Sequence, residues 1–538
     1  MKPATRFLSG AVLMMTLLSP AVLSGQAQAS SAPAGAGRPE VAPAIHRDVS
    51  PPLRSVQPVP PSSGAPRDKP LRLLPPNGAA GGQTDAALQT STGPAVATTS
   101  TVGFTGIGVG LGTFTPNAAP PDTNGAVGAT QYVQWVNESF AVFDKVTHAP
   151  VYGPAAGNTL WKGFGGGCEV NNDGDPIAQY DKAANRWVLT QFSVSNPATY
   201  GYLQCVAVST TSDATGMYNR YAFSYGSTQF NDYPKLGVWP DGYYISFNIF
   251  TNGQTFAGSK VCAYDRNSML AGLPALQQCY QLSTSFGGLL PSDLDGATLP
   301  PTGSPNYVLN FGANSLNLWK FHVDWTPTSP NTPSTTTFTG PTSIPVAAFS
   351  QACNGGACIP QSGTRQRLDS LADRLMYRLA YRNFGDHESL VVNHSVATSL
   401  APSGVRWYEV RNPNGTPSVY QQGTFGPDAT SRWMGSIAMD KLGDIALGYS
   451  ASSSQMHPGI RYTGRVATDA PGTMQAEATL VDGGGSQGRT LSRWGDYSSM
   501  SVDPVDDCTF WYTTEYLRSN GTFNWSTNIA SFKFPGCQ

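Results

Sequence analysis

Charge is scarce in this chain of 538 residues: only 12% are Asp, Glu, Lys or Arg, and the formal net charge is -2. A protein that grips nucleic acid or an anionic bilayer through a broad positive face needs a concentration of cations that this composition lacks. Histidine is rarer still, at six residues. His387-Glu388 and His394 come nearest to a zinc motif, yet the H-E-x-x-H spacing is absent. An odd separation along a strand also sends the two rings to opposite faces. There is no G-x-S-x-G elbow, no phosphate-cradling glycine loop and no catalytic Cys/His signature. Beyond Leu23 no apolar run is long enough to cross a membrane. The mature protein is therefore expected to be a soluble monomer, with no membrane span and no nucleic-acid partner.

What is present begins with an export signature. Lys2 and Arg6 form a basic start, Leu8 to Leu23 an apolar stretch broken by Gly10 and Pro20, and Ala27-Gln28-Ala29 a small-residue cleavage site. Residues 1–29 read as a signal peptide, which predicts a secreted protein, extracellular or periplasmic. Residues 30–99 are rich in Pro, Ala, Gly and Ser and nearly free of aromatics. Such a stretch buries too little apolar area to offset its chain entropy, so it is expected to be a disordered linker or pro-segment. From residue 100 to 538 aromatics are frequent, and this is the expected folded domain.

Seven times beyond Pro116 the chain repeats one event: a short apolar strand, a tight turn, then an aromatic-rich strand. Asp232 to Asn248, Arg432 to Tyr449 and Asp496 to Tyr512 show it best. Repeated strand units that cannot bury their own faces must stack, and a ring of four-stranded units is a β-propeller. The expected fold is all-β, a seven-bladed propeller. Its last blade shows only three strands, Ser498–Val502, Thr509–Leu517 and Asn528–Phe534. The segment Ser100–Phe114 is expected to supply the fourth, closing the ring and removing a free edge.

Eight cysteines in an exported chain favour disulfides. Cys508 opens one strand and Cys537 closes another about a shared turn, so the two fall side by side. Cys262 and Cys279 flank a similar midpoint, Cys353 and Cys358 enclose a short loop, and Cys168 and Cys205 remain for each other by elimination.

In such a ring, residues leading into the innermost strands gather around one funnel. Here these are Asp122, Asp175, Asp232 and Asp293, then Arg374, Arg432 and Arg493. Convergent carboxylates supply a general acid and a base or nucleophile, and clustered guanidinium groups hold a carboxylate in paired, planar hydrogen bonds. The plain alternative is that the aspartates accept backbone N–H bonds and pair with arginines of neighbouring blades. Tyr377, Arg378, Trp433, Trp494, Asp496 and Tyr497 stand next in line to face the mouth, the Trp pair offering a platform for a sugar ring or a place in the core. Asn171-Asn-Asp173-Gly-Asp175 provides oxygen ligands in a turn, so calcium at Asp173 and Asp175 is the one metal expectation, although the twelve-residue EF-hand pattern is absent.

The run Arg493-Trp-Gly-Asp-Tyr-Ser-Ser-Met-Ser-Val-Asp-Pro504, with Asp175-Pro-Ile-Ala-Gln-Tyr-Asp181 and Asn185-Arg-Trp187, resembles secreted bacterial sialidase-like β-propellers. The resemblance spans roughly Pro116 to the C-terminus. It implies a carboxylate held by three arginines (Arg374, Arg432 and Arg493), an aspartate acid (Asp122, Asp175 or Asp232), and a tyrosine nucleophile at Tyr497 or Tyr377. The Arg-Ile-Pro segment and the S-x-D-x-G-x-x-W Asp-box turns of that family are missing. The expectation is a protein whose funnel binds, and as an enzyme cleaves, an acidic extracellular polysaccharide or glycoconjugate, by hydrolysis or lyase chemistry. Asp293, Arg374, Arg432, Trp433, Arg493 and Trp494 would contact the ligand, and Asp122, Asp175, Asp232 and Tyr497 would do the chemistry. The competing expectation is a lectin-like or protein-binding module without turnover.

Overall fold

The computed structural model describes residues 37–61, 66–75, 84–326, 334–488 and 490–538. The expected signal peptide lies outside the described residues.

The fold is all-β, with a few single-turn helices between strands. Consecutive strands pair antiparallel in groups. The first comprises Thr123–Val127, Gln131–Val136, Ser139–Asp144 and Pro150–Ala156. The second runs from Ile177–Asp181 through Arg186–Ser193 and Leu203–Ser209 to Tyr218–Ser224. The third runs from Gln229–Trp239 through Gly242–Thr251 and Thr255–Tyr264 to Leu276–Gln281. A fourth begins at Leu290–Asp295 and a fifth at Met376–Asn383, and these two first strands also pair with each other in parallel. The sixth begins at Ser431–Met439. The last contains Ser499–Val502, Phe510–Leu517 and Trp525–Lys533, and its outer edge is taken by Thr99–Thr105, antiparallel to Trp525–Lys533.

The first strands of successive groups lie against one another, and that of the last lies against that of the first. Close approach demands small residues there: a Cβ on Gly237 would meet the Ser292 carbonyl oxygen at 2.3 Å. Aromatic rings fill the gaps between groups. Trp239, for example, packs edge-on against Tyr381 at 4.7 Å and Tyr307 at 5.7 Å, tying three groups together. The disulfides are Cys168–Cys205, Cys262–Cys279, Cys353–Cys358 and Cys508–Cys537, the pairing that the cysteine positions predict.

The expected disordered linker is corrected over much of its length. Glu40–Pro43 adds an antiparallel strand to the edge of the third group, and His46–Val49 adds one to the second. Arg67–Asp68 pairs with Ala118–Ala119, and Leu88–Gln89 with Thr424–Phe425. Pro- and Ala-rich composition removes the periodicity that marks a strand. It leaves intact the backbone donors and acceptors with which an open sheet edge pairs.

Candidate functional site

A repeated kink aims side chains at the middle of the molecule. Just before the first strands Asp122, Asp175 and Asp496, and within them Tyr233 and Met434, hold left-handed backbone conformations, with φ between 46° and 62°. Such conformations cost non-glycine residues about 1–3 kcal/mol each and gather where a site is being shaped. A bulge between Asp232 and Lys235 adds a further twist to the third group.

The floor of the site is a buried lysine among carboxyls. The Lys235 ammonium lies 3.4 Å from the Tyr233 ring centre and 3.8 Å from that of Tyr497, and donates to the Pro234 carbonyl at 2.8 Å. Loss of solvation pulls its pKa down to about 7, against the opposing pull of Asp175, Asp122 and Asp496. Asp122 is 1% exposed. Burial, then the neighbouring Asp496 and Asp175, holds its carboxyl well above the usual range. Asp175 is raised mainly by burial, with Lys69 and Lys235 opposing, and accepts the Tyr233 N–H at 3.2 Å. Asp232, at the edge of the same cluster, is pushed up to about 7 by burial and then by Asp175.

Two arginines form the wall, and both are already engaged. Arg374 donates to Asp373 at 2.7 and 3.0 Å and lies 4.6 Å over the Tyr233 ring. Arg493 clasps Asp496 at 2.6 and 2.7 Å and also donates to Asp369. Burial pushes Asp369 up to about 7 despite that partner. Behind it, burial holds the Glu515 carboxyl well above its usual range although Gly495 N–H donates to it.

The roof is the chain's own N-terminal segment, Arg67 to Leu74. The Lys69 ammonium donates to the Asp173 carbonyl at 2.5 Å and stands 4.0 Å from the Asp175 carboxylate. Arg72 reaches Asp232 at 3.6 Å, donates to the Gly253 carbonyl, and lies 5.0 and 5.1 Å from the Phe230 and Phe250 ring centres. In return Arg493 Nε donates to the Lys69 carbonyl at 2.8 Å, and Arg374 Nη2 to the Arg72 carbonyl at 2.7 Å. Arg67 pairs with Glu138 at 2.6 Å, and Leu74 N–H donates to Asp373 at 2.7 Å. Between segment and floor lies a cavity of about 260 Å³ whose lining includes Asp175, Phe192, Phe230, Asp232, Arg374 and Arg493.

Of the residues expected around a funnel, the structure thus brings together Asp122, Asp175, Asp232, Arg374, Arg493 and Tyr497. Tyr497 lies wholly beneath Lys235, with its hydroxyl donating to the Pro176 carbonyl at 3.2 Å, so it presents no exposed nucleophile. Asp293 is deeper, bound by Arg378 at 2.6 Å, Gln179 at 2.8 Å and Val238 N–H at 2.9 Å. Arg432 is elsewhere, donating to Glu477 at 2.8 and 2.9 Å and to Asp428 at 2.9 and 3.1 Å. The three-arginine cluster is therefore corrected to two. Trp433 and Trp494 are fully buried core residues 5.9 Å apart, and no platform for a sugar ring.

Asp173 spends its carboxylate on Val194 N–H, Ser195 N–H and the Ser195 hydroxyl at 2.6–2.8 Å. Among the described residues no group of three or more His, Cys, Asp or Glu is arranged to hold a metal, so the calcium expectation at Asp173 and Asp175 gains no support. Lys235, Tyr233, Asp369 and the roof residues Lys69 and Arg72 were not singled out from sequence. A lone Lys between Pro234 and an apolar run was the available signal for the first.

No protein-family model and no curated protein matches this chain. Among solved structures it is similar to an ulvan lyase described as a new family of polysaccharide lyase, with 10% identity over 79% of this chain and 93% of that one, at a TM-score of 0.33. It is similar to the N-terminal domain of Nup159, with 8% identity over 88% and 100% and a TM-score of 0.34. It is also similar to an exo-β-1,3-galactanase from Clostridium thermocellum, with 10% identity over 77% and 93% and a TM-score of 0.28. Likenesses this faint carry no argument about what the chain does. Among the described residues no helix is long and apolar enough to cross a membrane.

Proposed function

We propose that this chain is an exported seven-bladed β-propeller, closed by Thr99–Thr105, that hydrolyses an extracellular glycan at its central mouth. The cyclic contact of the first strands and the pairing of Thr99–Thr105 with Trp525–Lys533 support the closed ring. Four disulfides support passage through an oxidising compartment.

The observation that carries the reaction is the pairing of Asp232 with Asp175 on the cavity wall. Burial raises both, Asp232 as far as about 7, while the ammonium groups of Lys69 and Lys235 hold Asp175 back. A carboxyl pair in which one member is held up more strongly than the other would supply a general acid and a base or nucleophile. Asp232 would protonate the leaving oxygen, and Asp175 would activate water or attack the anomeric carbon. Arg374 and Arg493 would spend one N–H each on ligand oxygens. Their bonds to Asp373, Asp369 and Asp496 hold the two guanidinium groups in place for that contact. A binding module without turnover is the second reading, favoured by the covering of both carboxyls by the chain itself.

The test is release of reducing ends from a panel of neutral and acidic polysaccharides and aryl glycosides. It is run on the whole chain and on a Lys69→Ala/Arg72→Ala variant whose mouth is uncovered. Asp232→Asn is expected to lower release about 10²–10⁴-fold, while sparing glycosides whose leaving group needs no proton. Asp175→Asn should abolish both, and release should decline above about pH 7 in the whole chain as Asp232 loses its proton, and only at higher pH in the Lys69→Ala/Arg72→Ala variant, where the Arg72 guanidinium no longer opposes the rise. Undiminished release in the Asn variants overturns the assignment; saturable glycan binding without release establishes the second reading.

A further inference from the structure

We infer that the mouth carries two cation subsites for one extended basic ligand, and that Arg67 to Leu74 occupies them as a competitor built into the chain. The first subsite is made by the Asp173 carbonyl and the Asp175 carboxylate, with the Phe192 ring 5.8 Å from the Lys69 ammonium. The second is made by Asp232, the Gly253 carbonyl and the Phe230 and Phe250 rings, around the Arg72 guanidinium. Carboxylate below and ring face beside is the surround a desolvated cation prefers. Between the subsites, Arg493 and Arg374 hold the carbonyls of residues 69 and 72. These two bonds hold the segment at both cation-bearing residues, and a polyproline-like path of about three residues per turn and about 3.1 Å rise would set their Cα atoms about 9 Å apart on one side of the segment. Pro70 suits such a path, since it fixes φ and has no N–H to satisfy.

Most of these contacts belong to a ligand more than to a core. The Lys69 and Arg72 side chains remain 24% and 30% exposed. Every group they satisfy in the mouth belongs to a part of the chain more than 100 residues away. The ligand class follows from what is held: an extended peptide of the form Lys-x-x-Arg, its cations in the two subsites and its carbonyls on the two arginines. Because Asp175, Asp232, Arg374 and Arg493 are all covered, segment and outside ligand exclude each other. What this blocks rests on the hydrolytic reading above; the binding itself does not.

The probe is a fluorescein-labelled peptide of residues 66–75, titrated against the whole chain and against Lys69→Ala/Arg72→Ala. The variant should bind it at least tenfold more tightly than the native chain does, and a peptide with both cations replaced by Ala should bind the variant at least tenfold more weakly. Hydrogen exchange at Lys69 and Leu74, whose N–H groups donate to the Ala119 carbonyl and to Asp373, should quicken at least tenfold in the variant. In the native chain it should quicken when excess peptide is added, a measurement that needs no substitution. Equal binding to both chains, or binding indifferent to the peptide's cations, overturns the inference. Peptide binding without sugar release leaves the subsites standing and removes the hydrolase reading; sugar release without peptide binding does the reverse.

Discussion

Replacing Arg493 by Met should destabilise the protein by an amount that depends on pH, because the guanidinium serves a carboxyl that titrates near neutrality. The side chain is 7% exposed, clasps Asp496 and donates to Asp369, which is wholly buried. Removing one partner of a buried pair costs about 3–5 kcal/mol. For a body of this size, unfolding entropy of about 2.1 cal/mol/K per residue amounts to about 1 kcal/mol/K, so the loss is about 3–5 °C in Tm. Asp369 sits at about 7, with burial raising it and Arg493 the chief opposing influence. A carboxyl whose folded pKa exceeds its unfolded one binds protons more readily when folded. Stability therefore falls as pH rises from the unfolded value to the folded one, and the full loss is reached above the folded pKa. Without Arg493 the folded value climbs further, so the extra cost appears above about pH 7 and amounts to about 1.4 kcal/mol per added unit. Scanning calorimetry should show the full drop at pH 8.5 and a drop smaller by about 1–2 °C at pH 5.5. Equal drops at the two pH values, or less than about 1 °C at pH 8.5, would refute the electrostatic account.

Other substitutions probe neighbouring parts of the same argument. Lys235→Met should be most favourable relative to the native chain at and below pH 7, by up to about 5 kcal/mol. The advantage should shrink toward pH 10, because the native lysine titrates at about 7 when folded and near 10.5 when unfolded; a constant difference in thermal midpoint across that range contradicts it. Arg432→Ala should cost about 3 kcal/mol through its two carboxylate partners. It should leave sugar release and peptide binding unchanged, and a specific loss of either would return Arg432 to the mouth. Cys508→Ala with Cys537→Ala should lower Tm by about 3 °C, and more than loss of the bridge from Cys353 to Cys358, which spans five residues against 29. Calorimetry of the two double variants ranks them.

The strands were legible because their turns and alternation are local. Pro240-Asp-Gly242 announced the hairpin between Gln229–Trp239 and Gly242–Thr251, and the missing fourth strand of the last group pointed to the segment that fills it. The mouth was legible only in part. Asp175 is itself a left-handed kink, Asp232 directly precedes another at Tyr233, and Arg493 lies three residues ahead of the left-handed Asp496. Arg432 lies two ahead of the left-handed Met434, and a shift of one residue along extended backbone turns a side chain to the other face. Type and approximate position were alike for the two arginines, but their partners differ. The roof was hidden for another reason. Arg67 to Leu74 has no periodicity of its own, and its bonding partners are set by the folded body instead of by its neighbours in sequence.

The two short strands Glu40–Pro43 and His46–Val49 bear on what a protease could achieve here. They zip the chain upstream of Arg67 onto the margins of two sheets, while Thr99–Thr105 fastens the chain downstream. A single cut on either flank of the segment would leave it leashed at its other end, at an effective concentration in the millimolar range, and able to fall back into place. Only a second scission, or a rival strong enough to outcompete a leashed occupant, would uncover the mouth for good.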